Sequence, residues 1–199
     1  MAYSDFDLRR VLTDFGLTRR EDVPLFADVP DLVPGENLRA WLAEYTPFAL
    51  GIGTEAARSQ FLILPIFAEA RRLSGGAFSV LPGVTFDVDR ARGLTGVCDY
   101  LFSQSRELYF VESPVVAVAE AKREDMVAGI GQCAAAMVAV RLFNERSGQA
   151  GRVVHGAVTT GNAWRFLRLE GDALSVDPSE FTLVELPKLL GILVHIGRD

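Results

Sequence analysis

The stretch that decides the fold is Pro114-Val-Val-Ala-Val-Ala-Glu120-Ala-Lys122, a short apolar run that ends in two charges. Its length and its β-branched residues predict a buried strand. Side chains two positions apart in a strand share a face, so Glu120 and Lys122 point the same way. Charged groups at the mouth of a buried strand are costly unless they are paired, hydrated or bound to an ion. A second carboxylate, Asp99, interrupts the strand-like run over residues 96–102.

The length and the composition bound the class of protein. The 199 residues suit one domain, or one domain with an N-terminal appendage. No apolar segment follows a basic start, so no signal peptide is expected. The longest apolar stretch, residues 126–140, carries Gln132 and is too short to span a bilayer. Cys98 and Cys133 lie in apolar runs and are predicted to be core residues. These features favour a cytoplasmic protein without a membrane partner.

The charges give two further indications. A net charge of −6 does not favour a nonspecific nucleic-acid binder, although it leaves room for a local basic cleft. Among the 20 basic residues only Lys122 and Lys188 are lysines. The compact ammonium of lysine can contact a reacting group in a confined site where the larger, planar guanidinium of arginine would not substitute. The lysine two residues after Glu120 therefore suggests a functional position.

Apolar periodicity and capping residues predict the order of the elements. Helices are predicted at 4–15, 37–48, 54–73 (with a kink or break at Pro65), 123–144 and 183–196. Strands are predicted at 78–81, 84–88, 94–103, 114–122, 153–160, 163–169 and 174–176, with a turn at Pro82-Gly83. The helix over 123–144 could join two parallel strands as a crossover. The pattern predicts an α/β (α+β) fold, a mixed central sheet flanked by helices, with residues 1–50 as a helical appendage and residues 51–199 as the main domain.

The acidic residues suggest a metal site. Mg²⁺ prefers oxygen ligands from one or two carboxylates together with carbonyls and waters. Asp99 and Glu120 supply two carboxylates, and the carbonyl of Ala121 lies nearby. A metal-held water beside a phosphodiester is a sufficient hydrolytic site, in which Lys122 would orient or deprotonate the water or stabilise charge on a phosphate. Glu55, at the start of the third predicted helix, is a candidate further ligand.

The residues Gly96-x-x-Asp99-Tyr100, followed by a strand that ends in Glu120-Ala-Lys122, resemble the PD-(D/E)XK nuclease superfamily. The chain is most similar to the restriction-endonuclease-like domain found at the N-terminus of type I restriction motor subunits and in small stand-alone relatives. The resemblance covers roughly residues 54–169. It implies a restriction-endonuclease-like sheet and cleavage of nucleic acid, with DNA favoured over RNA as the substrate. It also implies a homodimer or a helicase-type motor as partner.

The resemblance assigns a role to each site residue. It implies that Asp99 and Glu120 bind Mg²⁺ or Mn²⁺, that Lys122 assists the attacking water, that Glu55 completes the metal site and that Gln132 supports it. The chain departs from the family at two positions. Cys98 stands where the family name has proline, and Ala136 stands where some relatives have a tyrosine four residues after the glutamine.

The same residues also fit roles without catalysis. The acids and the lysine could form an ordinary surface salt bridge at a sheet edge. Glu55 could be a helix-start charge, and a backbone carbonyl could satisfy Gln132. A catalytically silent nuclease-fold module for binding or assembly is favoured by the acidic net charge. A Schiff-base role for Lys122 is disfavoured by the neighbouring glutamate, since such lysines need a depressed pKa.

Overall fold

The computed structural model describes residues 1–20, 24–122 and 125–199. Its α-helices are α1 (Leu8–Asp14), α2 (Glu36–Ile52), α3 (Glu55–Arg58), α4 (Leu64–Leu73), α5 (Met126–Arg146) and α6 (Leu186–Arg198). Its strands are β1 (Thr18–Arg20), β2 (Ser79–Thr85), β3 (Val97–Ser103), β4 (Val115–Ala121), β5 (Val154–Thr159), β6 (Ala163–Glu170), β7 (Ala173–Val176) and β8 (Phe181–Thr182). Short 3₁₀ turns cover Tyr3–Asp5 and Leu183–Glu185, and a π-helical segment covers Ser59–Ile63.

The strands form one mixed sheet in the order β1-β7-β6-β5-β4-β3-β2, and β8 pairs with β6. The meander β2-β3-β4 is antiparallel, whereas β4 and β5 run parallel and are joined by α5. The strands β5, β6 and β7 continue antiparallel, and β1 adds to β7 in parallel. The predicted α/β class is confirmed, and so is the predicted crossover between the two parallel strands.

Helices cover both faces of the sheet, and each face has its own apolar core. The core beneath α2, α4 and α6 contains Phe67, Trp164 and Phe166, all fully buried. The core beneath α5 and α1 contains Tyr3 and Phe6, which are also buried. The described part of residues 1–50, a segment expected to form a helical appendage, contributes Tyr3, Phe6, Phe26, Leu38 and Leu42 to these two cores.

The edge strand β2 differs from the sequence prediction. Two strands with a turn at Pro82-Gly83 are expected, but one strand runs through both residues, so the predicted turn is wrong. Pro82 pairs with Tyr100 of β3. A proline, which has no N–H to donate, is tolerated at a sheet edge. Gly83 takes a φ of 63°, a conformation that glycine adopts without steric cost.

The helix predicted over 54–73 is divided by the π-helical segment. Thr54 caps its start as predicted, because its hydroxyl accepts a hydrogen bond from the backbone N–H of Ala57 at 3.1 Å. The irregular turn directly precedes Pro65, which lies in the first turn of α4, where a missing N–H costs least. The expected break therefore takes the form of a widened turn before the proline.

The crossover helix α5 is central to the fold. Asp125 caps its start by accepting from the N–H of Ala128 at 3.0 Å, while Arg123 and Glu124, also predicted to open it, lie outside the described residues. The apolar stretch over 126–140 is expected to be too short to span a bilayer, but it belongs to a helix of 21 residues, and in the described part of the chain α5 is the one helix whose length and composition would allow it to cross a membrane. It packs on β4 and β5, and 61% of its most apolar window is buried, as in the core helix of a globular fold.

Candidate active site

The buried strand β4 carries a carboxylate at its end. All of its residues, Val115–Ala121, are buried, and the side chain of Glu120 is 0% exposed. Oε2 of Glu120 accepts a hydrogen bond from Nε2 of Gln132 at 2.7 Å. Oε1 is equally buried and has no hydrogen-bond partner. A buried carboxylate oxygen without a donor costs free energy, so an added proton or cation at this point would stabilise the fold.

Asp99 lies beside this carboxylate. The strands β3 and β4 are antiparallel, and Tyr100 pairs with Ala119, which puts Asp99 and Glu120 one position further along the same register. Oδ2 of Asp99 accepts a hydrogen bond from the backbone N–H of Ala121 at 2.8 Å. This bond fixes the orientation of the Asp99 carboxylate at the end of β4.

Asp99 lines a cleft of about 300 Å³. Ser59 and Gln60 of the π-helical segment line one side of it, and Pro82 and Gly83 of the edge strand line another. Asp99 is thus the member of the acidic pair that borders this cleft, whereas Glu120 is fully buried.

The environment changes the acidity of Glu120. Burial and then the nearby Asp99 carboxylate raise its pKa well above the usual range for a glutamate, and the charge of Glu55 contributes in the same direction. The Lys122 ammonium opposes this rise. The folded environment therefore penalises the ionised form of Glu120 relative to water.

Gln132 connects the acid to the lysine. Nζ of Lys122 donates a hydrogen bond to Oε1 of Gln132 at 2.8 Å and lies 3.8 Å from Oε2 of Glu120. The lysine side chain is 19% exposed, so it is partly accessible to solvent. The carbonyl oxygen of the glutamine amide accepts the hydrogen bond from Lys122, and its NH₂ group donates the one to Glu120. Gln132 therefore bridges the two side chains.

A glycine on α5 makes room for the lysine. A Cβ atom at Gly129 would lie 3.0 Å from Cγ of Lys122 and 2.6 Å from Cγ1 of Val158. Contacts this short do not occur in folded proteins without a shift of the neighbours. The glycine therefore lets α5 approach β4 and β5 closely enough for Gln132 to reach Glu120.

Glu55 is separated from the central acids. Its side chain is exposed at the start of α3, and it influences Glu120 through its charge. Within residues 1–20, 24–122 and 125–199, no group of three or more His, Cys, Asp or Glu side chains is arranged to hold a metal ion. The structure thus brings Asp99, Glu120, Lys122 and Gln132 together, with Ala121 between the two charged residues of β4, and leaves Glu55 at the rim.

The structure adds residues that the sequence analysis missed. Tyr100 donates a hydrogen bond to the backbone carbonyl of Ser59 at 3.2 Å and also contacts the Ser59 hydroxyl, which ties β3 to the π-helical segment. Arg58 donates from Nη1 to the carbonyl of Thr160 at 3.0 Å. Neither contact has a sequence signal, because each joins residues more than 40 positions apart.

The substitution Gln132→Leu tests how much the hydrogen bonds of Gln132 to Glu120 and Lys122 contribute to stability. The substitution removes the donor to Glu120 and the acceptor for Lys122 while keeping a side chain of similar size. We expect the free energy of unfolding to fall by about 1–3 kcal/mol, the usual cost of an unsatisfied buried polar group. Urea denaturation followed by circular dichroism measures this. Gln149→Leu, which alters an exposed glutamine after the end of α5, is the control and should change stability by less than about 0.5 kcal/mol.

Comparisons of the chain with protein-family models, with curated proteins and with solved structures find no match. What the site can do therefore follows from its own residues. The site contains two adjacent carboxylates, a residue type that supplies oxygen ligands to hard cations, and an ammonium held by a glutamine 3.8 Å from one of them.

Proposed function

We propose that the protein is a metal-dependent nuclease that hydrolyses phosphodiester bonds, of DNA rather than RNA, with Mg²⁺ or Mn²⁺ as its cofactor. The observation that carries this proposal is the fully buried Glu120 carboxylate, which has an unpartnered Oε1 and lies beside Asp99. The two carboxylates face one ammonium, that of Lys122, and a hard divalent cation with a preference for oxygen ligands would supply further positive charge.

The order of elements supports the same proposal. The chain runs from the helical segments with Glu55 through β2, β3 and β4 into α5 and then the parallel strand β5. The acids lie on β3 and β4, and Gln132 lies on α5, as the PD-(D/E)XK resemblance requires. A cytoplasmic location and a homodimer or a helicase-type motor as partner belong to this proposal as well.

Each residue of the site has its own role in the proposed hydrolysis. Asp99, held by the N–H of Ala121, and Glu120, held by Gln132, would bind the cation. A bound Mg²⁺ lowers the pKa of water and stabilises charge on a phosphate. The partly exposed side chain of Lys122 lies beside Glu120, where its ammonium can orient the attacking water or contact a phosphate oxygen. The positive charge also favours the ionised form of Glu120, whose pKa burial otherwise raises.

Asp99→Ala tests the function directly. We expect wild-type protein to cleave labelled DNA in Mg²⁺ or Mn²⁺ but not in EDTA, and we expect the variant to lose about a hundred-fold or more, since losing even a ligand's supporting partner costs 10–100-fold. Time courses on DNA and RNA oligonucleotides of one sequence measure this. Asp172→Ala, which removes a surface carboxylate outside the site, should cleave like wild type.

A second function has one observation in its favour. Because Glu55 does not join Asp99 and Glu120, no third acidic ligand completes the site within the described residues. A catalytically silent module that keeps the fold for binding or assembly would fit this arrangement. Thermal melting in Mn²⁺ separates the two proposals: a nuclease should melt higher with the metal, and the increase should disappear in Asp99→Ala. Neither cleavage nor a metal-dependent shift would favour the silent module.

A further inference from the structure

An arginine outside the predicted site lies at the same end of the sheet. Arg58 ends α3, three residues after Glu55. Its Nη1 donates to the backbone carbonyl of Thr160, directly after β5. The backbone N–H of Lys122, directly after β4, donates to the carbonyl of Thr159 at 2.8 Å. The Arg58 guanidinium is therefore fixed at the end of β5, the strand whose last residue bonds the backbone of Lys122 at the end of β4.

The positive charge of Arg58 lacks a counter-ion among the described residues. Its Nε is buried and has no hydrogen-bond partner. Two other arginines have a buried, unpartnered Nε, but Arg141 is paired with Asp172 at 2.9 Å and Arg165 with a surface glutamate at 3.3 Å. Within the described part of the chain, no carboxylate oxygen lies within 4.0 Å of the Arg58 guanidinium.

A partly buried cation without a counter-ion is costly, and an anion would offset the cost. The guanidinium is planar because its charge is delocalised, and the bond from Nη1 to the Thr160 carbonyl fixes the orientation of its remaining donors. Planar guanidinium donors match the oxygens of a phosphate better than a point charge does. An anion of this shape is the one that the proposed nuclease would have to bind.

We propose that Arg58 binds a phosphate of the nucleic-acid strand held in the active site. This inference rests on the proposed nuclease function. Two carboxylates repel a phosphodiester, and the chain as a whole is acidic, with a net charge of −6. A cation fixed at the strand ends offsets this repulsion locally. Arg58 is thus a substrate-binding residue, distinct from the acids that hold the metal.

A purely structural role of Arg58 predicts a different result. If Arg58 only ties α3 to the end of β5, its removal lowers stability and leaves nucleic-acid binding by the folded protein unchanged. Phosphate binding has a signature that such a role lacks. Each phosphate neutralised by a protein cation contributes about 0.9 to the slope of log affinity against log salt for duplex DNA and about 0.7 for a single strand.

The experiment measures binding of fluorescein-labelled DNA by anisotropy in Ca²⁺, between 50 and 300 mM KCl, for four proteins. For Arg58→Met we expect at least about a tenfold loss of affinity at low salt and a salt slope smaller by about one phosphate contact. Arg58→Lys keeps the charge and should keep the slope. Arg106→Met removes an exposed arginine near the far end of β3 and should match wild type. Melting temperatures of all four are recorded in parallel.

Each outcome decides the inference. If Arg58→Met lowers the melting temperature but binds DNA with wild-type affinity and slope, Arg58 is structural and the inference is wrong, while metal-dependent cleavage by wild type still supports the nuclease. If wild type neither binds nor cleaves DNA, the proposed function fails and the inference fails with it. A loss of slope in Arg58→Met that Arg58→Lys restores supports phosphate binding.

Discussion

Glu120→Gln is expected to make the metal-free protein more stable at neutral pH and, at the same time, to reduce metal-dependent cleavage by about a hundred-fold or more. The carboxylate is fully buried, and its Oε1 has no donor. An amide of the same shape removes the buried charge. The expected gain is about 1–3 kcal/mol, the scale of a buried unsatisfied group. The loss of cleavage follows because a neutral amide is a much poorer ligand for a divalent cation.

The stabilisation by Glu120→Gln should increase with pH. The pKa of Glu120 is raised in the folded state, so the folded protein holds a proton on this group that the unfolded chain releases above its own pKa of about 4.3. Stability due to this group is therefore fully present in acid and is lost as the pH rises through the folded-state pKa. Urea denaturation in EDTA should show a larger stabilisation by Glu120→Gln at pH 8 than at pH 5.

A second buried glutamate provides the matched control. Glu69 accepts hydrogen bonds from the Gly35 N–H and from the Arg72 guanidinium, each at 2.7 Å. These donors, Arg72 first, lower its pKa. Glu69→Gln should therefore reduce stability at neutral pH, in the opposite direction to Glu120→Gln. If both substitutions reduce stability equally, the Glu120 carboxylate is not under the electrostatic cost that the site implies.

Much of the fold follows from local sequence patterns. The strand β4 is an uninterrupted apolar run, and α5 is a long apolar helix, so the parallel pair with its crossover is predictable from period and length. The strand β1 is not, because Thr18–Arg20 is exposed throughout and exists only through its pairing with β7. The role of Asn144 is not predictable from local sequence either. Its buried side chain bonds both the N–H and the carbonyl of Val115, which lies 29 residues away.

The candidate site, like the fold, contains residues that the sequence makes recognisable and residues that it does not. Asp99, Glu120 and Lys122 stand out in the sequence because charges at the ends of apolar strands are unusual. Arg58 does not, because an arginine at a helix end is ordinary until Thr160 is placed beside it. The position of Glu55 is predictable as a helix start, but whether its side chain reaches the acids depends on how the helical layer packs on the sheet, which no local pattern records.

Gly129→Ala is expected to reduce the cleavage rate per folded molecule strongly and to lower the free energy of unfolding by about 1–3 kcal/mol, the usual cost of overpacking a core. Alanine normally stabilises a helix interior by about 0.5–1 kcal/mol relative to glycine. Here the added Cβ would lie 2.6 Å from Cγ1 of Val158 and within 3.2 Å of two carbons of Lys122. Either the lysine moves or α5 shifts away with Gln132, and a displacement of about 1 Å in a reacting group can cost about a hundred-fold. Initial cleavage rates per folded molecule measure the effect.

The same helix offers the control. A Cβ at Gly131 would lie 2.5 Å from the backbone carbonyl of Phe6, on the side of α5 away from Lys122. Gly131→Ala should therefore reduce stability and leave the cleavage rate of the folded fraction near wild type. A double-mutant cycle isolates the mechanism, because Gly129→Ala should add little once Lys122→Met has removed the ammonium. Additive losses in that cycle would mean that Gly129 acts through the packing of α5 as a whole and not through the position of the lysine.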